Sequence, residues 1–152
     1  MTSGRADLQR RICKWYLKKY YPDEKNYKYQ AHVLDSRILP APDASPAEIA
    51  ESFFFRALPR IDLLIETDTE IVIVEAKSQP KLKDVSELIF YKDALSFDRR
   101  FAEKKDKAWK MVFVTVDDHK SIEVYCGQMG IQYIYAPISE LPEPDFIYKG
   151  NL

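Results

Sequence analysis

Apolar residues recur along this chain at two spacings, helical and strand-like, and each spacing predicts its own elements. Between 5 and 20, Leu8, Ile12, Trp15 and Tyr16 fall at helical intervals, with Tyr20 next on the same side. Arg10, Arg11, Lys14, Lys18 and Lys19 take the remaining surface, so the segment predicts an amphipathic helix that Pro22 ends. Tyr27 to Ile38 alternates and carries β-branched residues, as a strand does. Ser45-Pro46-Ala47-Glu48 places a capping serine, a first-turn proline and a glutamate at the third helical position. It predicts a short helix that, with the Pro-rich loop before it, forms an insertion at 39–52. Phe53-Phe54-Phe55 fits a helix or a strand equally well.

Residues 60–66 and 70–77 are two nearly continuous apolar, β-branched runs around a polar turn. They predict a hairpin buried on both faces at the centre of a sheet. Asp84 to about Phe97 predicts a helix, with Asp84 as N-cap and Glu87 completing a capping box. Val85, Leu88, Ile89 and Leu95 form one apolar stripe and Phe90, Ala94 and Phe97 a second, so this helix is expected to be largely buried. Met111 to Val116 reads as a buried strand. Asp117-Asp118 are placed to cap a helix from about His119 to Met129, which Gly130 stops. Ile131 to Ala136 is the last strand, and prolines 137, 142 and 144 mark an irregular tail at 137–152. A hairpin followed by strand–helix–strand crossovers makes an α/β fold, a mixed central β-sheet flanked by helices.

Composition changes this picture little. The 152 residues suit a single domain spanning 1–152, and 46% hydrophobic with 31% charged residues suits a globular core. A net charge of −1 gives no global attraction to a polyanion, so any such attraction has to be local. The densest basic segment is 98–110, with Arg99, Arg100, Lys104 and Lys105; it reads either as a phosphate-binding edge or as a charged surface loop. Cys13 and Cys126 have no metal-ligand spacing and read as buried thiols of an intracellular, cytoplasmic protein. His32 and His119 stand alone and read as surface or capping groups. No signal peptide or membrane-spanning run is evident, and no membrane partner is expected.

The candidate chemistry lies in the hairpin, where Asp62, Glu75 and Lys77 interrupt the apolar runs. If Asp68-Thr69 is a two-residue turn, Asp62 stands opposite Glu75, with Cβ atoms roughly 4.5–5.5 Å apart. Lys77 then shares their face. Two carboxylates that close raise one another's pKa unless a cation sits between them. With no histidine or cysteine near, a hard divalent ion such as Mg²⁺ or Mn²⁺ suits the pair better than zinc. The lysine suits an attacking water or phosphate charge, so the set points to metal-assisted phosphodiester hydrolysis. The same residues also read as a cross-strand polar cluster in which Lys77 neutralises Glu75.

Asp62 followed by Glu75-Ala76-Lys77 at the end of an apolar strand resembles the PD-(D/E)xK nuclease superfamily, which includes restriction endonucleases, Holliday-junction resolvases and RecB-type nucleases. Asp23-Glu24-Lys25, Glu103-Lys104-Lys105 and Asp118-His119-Lys120 fit the triplet too, but none ends an apolar strand. The resemblance implies a restriction-endonuclease-like core, αβββαβ with an extra helix and strand, over 5–136. It implies a metal site of Asp62, Glu75 and the Ala76 carbonyl, a water oriented by Lys77, and an endonuclease acting on nucleic acid, DNA before RNA. Such nucleases often carry a supporting acid on the first helix, where Asp7 stands. RecB-type members have Gln-x-x-x-Tyr on the helix after the motif; Tyr91 matches, and Glu87 replaces the glutamine. Cutting two strands takes two sites, so a homodimer is expected. The alternative is a nuclease fold without useful catalysis, serving as a nucleic-acid-binding or assembly module.

Overall fold

The computed structural model describes residues 4–39, 45, 47–48 and 58–143. Five strands form one mixed sheet in the order β1-β2-β3-β4-β5: Tyr27–His32, Arg60–Glu66, Glu70–Lys77, Ala108–Thr115 and Gln132–Tyr135. The first three are antiparallel; β3–β4 and β4–β5 are parallel. Three α-helices are described: α1 Gly4–Tyr20, α2 Leu82–Leu95 and α3 Lys120–Gln128. Parallel neighbours cannot be joined by a tight turn, and α2 and α3 make the two crossovers.

The continuous apolar run of β3 is what two-sided burial needs. Val72, Val74 and Ala76 enter one layer with Ile12, Tyr16 and Leu17 of α1. Ile71 and Ile73 enter the other with Val85, Leu88 and Leu95 of α2 and Ile122 of α3. The sheet is thus sandwiched between α1 and the α2–α3 pair. No helix among the described residues is long and apolar enough to cross a membrane.

Three boundaries and one buried face differ from the sequence expectation. β1 ends at His32 rather than near Ile38, because the Val33 N–H donates to the Pro59 carbonyl (2.8 Å) and the chain then turns at Asp35, which accepts from the Arg37 side chain. Helix α2 spans Leu82–Leu95 with Lys81 as N-cap; Asp84 sits at the third helical position and its carboxylate accepts the Lys81 N–H (2.8 Å). Asp84 and Glu87 therefore do not form the expected capping box. Nor do Asp117 and Asp118 cap α3: His119 is its N-cap, and Asp118 accepts from the Tyr133 hydroxyl instead (3.2 Å). Finally, the second apolar stripe of α2 is only partly buried, because Ala94 is covered whereas Phe90 and Phe97 are exposed. The expected reciprocal box at Ser45 and Glu48 is present, at 3.2 and 3.3 Å. The rest of the 39–52 insertion, Phe53-Phe54-Phe55 and the tail from 144 lie outside the described residues.

Leu88 is 0% and Phe90 54% exposed. In denaturant unfolding, Leu88→Ala is expected to cost about 2–5 kcal/mol, and Phe90→Ala about 0.5 kcal/mol or less. Equal losses would place α2 in the wrong rotation.

Candidate active site

The hairpin turn closes on Asp68-Thr69: the Thr67 N–H donates to the Glu70 carbonyl (2.9 Å), and the Thr67 hydroxyl accepts the Thr69 and Glu70 N–H groups. The register then runs Glu66–Ile71, Ile65–Val72, Leu64–Ile73, Leu63–Val74. The next rung is Asp62 opposite Glu75, and there the regular ladder stops. Since Thr67–Glu70 is a hydrogen-bonded rung, alternation turns the N–H and carbonyl of Ala76 toward β2. That N–H is met by the Asp62 Oδ2 (2.9 Å). A carboxylate stands in for a strand carbonyl, the two strands part, and the Ala76 carbonyl is aimed at the same gap.

The other Asp62 oxygen, Oδ1, accepts from the Gln30 amide (3.3 Å). Gln30 has φ 51°, the left-handed region, inside a strand. Its neighbours Tyr29 and Ala31 pack in opposite layers, as do Leu63 and Ile61 across from them, so the pleat is broken at the Gln30–Asp62 rung. Such a backbone costs about 1–3 kcal/mol and persists where surroundings over-determine it. Here it delivers a second donor to Asp62. The alternating character of 27–38 carries no sign of it, because glutamine is unremarkable in a strand sequence.

Glu75 is 2% exposed, and its Oε2 has no hydrogen-bond partner. Burial raises its pKa first, then a hydrogen bond and repulsion from Asp62, then Glu87; Lys77 opposes them, and the result is about 11. The Cys13 thiol on α1 is also held well above its ordinary value, chiefly by burial and then by the charges of Asp62 and Glu75. Cys13 of α1 thus lies within electrostatic reach of the carboxylate pair.

On the other side, Lys77 Nζ lies 3.8 Å from Asp84 Oδ1 and 4.0 Å from Glu87 Oε2. With α2 beginning at Leu82, Asp84 stands at the third helical position and Glu87 one turn on, and both carboxylates reach the lysine. Tyr91, one turn beyond Glu87, has its phenol raised by burial and then by Glu75, Glu87, Asp62 and Asp84. Asp62, Glu75, Lys77, Glu87 and Tyr91 are therefore brought together, with Asp84 and Gln30 added by the fold. Asp84 was legible only as a helix start, since nothing in the sequence says which way its second oxygen faces.

The remaining candidates lie elsewhere. Asp7 sits in the first turn of α1, its side chain makes no hydrogen bond or ion pair among the described residues, and it is not among the leading charges acting on Glu75. Arg100 pairs with the buried Asp98 (2.7 Å) and Lys104 with Glu66, while Arg99 and Lys105 are exposed. Glu66 is four residues from Asp62 along β2, roughly 13 Å. Among the described residues, no three His, Cys, Asp or Glu side chains form a ready-made metal cage. A hard cation in the gap would draw on two carboxylates and take further oxygen ligands from the main chain and water. No family model, curated protein or solved structure matches the chain.

Two predictions follow from the electrostatics and the strain. In metal-free protein the Glu75 proton is held to about 11 in the native state, against an ordinary value of 4.5. Its stabilising contribution is therefore full below 4.5 and is lost as pH rises toward 11. Denaturant unfolding with chelator is expected to show wild type losing more than about 1 kcal/mol relative to Glu75→Gln between mildly acid and mildly alkaline pH; parallel pH profiles would exclude a buried proton. At Gln30, glycine and alanine both remove the amide, but only alanine keeps the strain. Gln30→Gly should be about 1 kcal/mol more stable than Gln30→Ala. Equal stability would mean an ordinary strand backbone there.

Proposed function

We propose that this chain is a metal-dependent nuclease of the PD-(D/E)xK type, an endonuclease hydrolysing phosphodiester bonds, in DNA before RNA. One observation carries the reading: Asp62 and Glu75 meet where the hairpin parts, with a buried Glu75 oxygen left without a partner. An isolated polar atom in that position is costly, and a cation is the partner that removes both the repulsion and the orphan. The element order supports the restriction-endonuclease-like topology: α1, the antiparallel β1–β3, α2 and the parallel β4 give αβββαβ, and α3 and β5 are the extra pair.

Asp62, Glu75 and the Ala76 carbonyl are the residues that would hold Mg²⁺ or Mn²⁺, which when bound supplies a Lewis acid for the phosphoryl oxygens and a more acidic water. Glu75 has to release its proton to act as a ligand, so loading is coupled to proton release and strengthens with pH. Gln30 and the Ala76 N–H fix the Asp62 carboxylate before anything binds, so little reorganisation is left to the bound state. Lys77, held between Asp84 and Glu87, keeps its ammonium beside Glu75 to orient the attacking water and offset charge on the phosphate. The burial of Glu75 lowers the local dielectric and strengthens each of these interactions. A homodimer would present two such sites to two strands.

The test is calorimetric titration of Mn²⁺ into wild type and Asp62→Ala, followed by cleavage of mixed DNA and RNA substrates. Wild type is expected to bind with proton release and to cleave. Asp62→Ala should lose binding, and Lys77→Ala should keep binding but fall by about 100-fold or more in rate. Cleavage by both variants at wild-type rate would sink the proposal.

A further inference from the structure

Among the described residues the sheet ends on two edge strands, β1 and β5. An edge presents unpaired N–H and carbonyl groups to any strand that arrives, and proteins guard it with charge, bulges or kinks. β1 is guarded twice: it carries Lys28, and the left-handed Gln30 (φ 51°) kinks it in the middle. β5 has neither device. Its residues, Gln132–Tyr135, are uncharged, and none has a positive φ.

The neutrality extends well beyond the strand. Residues 124–139 contain no Asp, Glu, Lys or Arg, sixteen positions in a row and the longest such run in a chain that is 31% charged. Burial does not account for it. Met129 is 40% exposed, Tyr135 45% and Ile138 60%, and Gln132 and Ser139 are exposed as well. An uncharged sheet edge with exposed apolar side chains at its ends is a surface that proteins avoid leaving uncovered.

The backbone fixes which groups β5 offers. The Ala136 N–H donates to the Thr115 carbonyl of β4 (2.8 Å). In a parallel ladder the residues that bond one neighbour alternate. Gln132 and Ile134 therefore face β4 too, and Tyr133 and Tyr135 turn their N–H and carbonyl groups outward. No hydrogen bond among the described residues reaches those outward groups.

Two copies of this edge are complementary. With the strands antiparallel about a twofold axis at Ile134, Tyr133 of each copy stands opposite Tyr135 of the other as a hydrogen-bonded pair. Both outward N–H groups and both outward carbonyls of each copy are then used, and none is left over. Tyr133 and Tyr135 share a face, so each such pair also sets ring beside ring across the contact. The end of β5 that follows Met129 meets the end that leads to Ile138, which gathers exposed apolar side chains at both flanks. A twofold contact brings each residue near its own copy, so a charge in this strand would face a like charge. Neutrality over 124–139 is the charge complementarity that self-pairing requires; a foreign strand would be matched equally well by opposite charge.

We propose that β5 is the contact between two copies of this chain, joining their sheets into one of ten strands, five from each. This stands on the edge alone and does not rest on the nuclease reading, since Asp62 and Glu75 lie on β2 and β3.

Sedimentation velocity over a range of concentrations is run on wild type, Tyr135→Pro and Tyr27→Pro, each variant first checked for a wild-type circular dichroism spectrum. Proline at 135 removes an outward N–H that β4 does not use, so it spares the chain's own ladder. Tyr27 is the equivalent position on the other edge: Asn26 accepts the Glu66 N–H, which turns the Tyr27 N–H away from β2. Wild type is expected to dimerise, Tyr135→Pro to do so at least about tenfold more weakly, and Tyr27→Pro to match wild type. Ile134→Cys gives a readout that leaves the edge backbone whole. Residue 134 meets its own copy as a non-hydrogen-bonded pair, with Cα atoms roughly 4.5 Å apart, so oxidised glutathione should link two chains there. Cys13 and Cys126 are buried and should not react. Monomeric wild type at every concentration, a dimer that Tyr135→Pro leaves intact or that Tyr27→Pro weakens instead, or no link through residue 134 overturns the proposal and leaves the edge to a strand of another protein. Mn²⁺ binding per chain should be the same in wild type and Tyr135→Pro, so loss of the dimer and failure of the nuclease reading are seen separately.

Discussion

A strand buried on both faces has no solvent in which to place a charge, and β3 carries Glu75 within such a strand. The rest of the site is a response to that constraint. The ladder opens at Glu75, Asp62 occupies the opening by accepting the Ala76 N–H, and the two carboxylates come to share one small polar gap. A regular rung there would have satisfied the backbone and left both acids facing apolar layers. The opening costs one ladder bond, replaces it with a charge-assisted one, and exposes a carbonyl to the same gap.

Around that gap the fold arranges support at two distances. Gln30 and the Ala76 N–H each take one oxygen of Asp62, so its orientation is set by backbone geometry on two strands. Lys77 is set by α2, through Asp84 and Glu87. Asp84 does two jobs with two oxygens, accepting the Lys81 N–H at the helix start and facing Lys77. Helix position and lysine position are therefore coupled, and a shift of α2 by one residue would undo both. The left-handed Gln30 belongs to the same logic: local strain is retained where it aims a donor at the buried Asp62 carboxylate.

Charge outside the gap is largely spent on architecture. Arg37 ties Asp35 to Asp93, Arg100 holds Asp98, Lys104 and Lys107 converge on Glu66, and Lys110 holds Glu70. Of these, Lys104 and Lys107 bind the segment before β4 to β2. A chain with near-zero net charge thereby keeps a locally negative region at the parted hairpin, because pairing elsewhere cancels most of the rest.

The elements were legible in the sequence because they rest on local physics. Two-sided burial demands a continuous apolar run, which marked β2 and β3; a stripe at helical spacing marked α1; turn chemistry at Thr67 to Glu70 set the register that faces Asp62 with Glu75. Those two residues, with Lys77, were therefore readable as a candidate site from spacing alone. What only the tertiary structure decided depends on contacts between distant segments. Where α2 begins is settled by its packing on the sheet, not by the capping signal at Asp84 and Glu87, and that choice brings both acids to Lys77. Gln30 meets Asp62 across 32 positions of sequence through a backbone state that no residue pattern announces. The basic run at 99–105 was visible as charge, but which of its members are free depends on Asp98 and Glu66, each brought beside it by the fold. Spacing along one chain determines which face a residue takes; only the closed structure determines what waits on the other side.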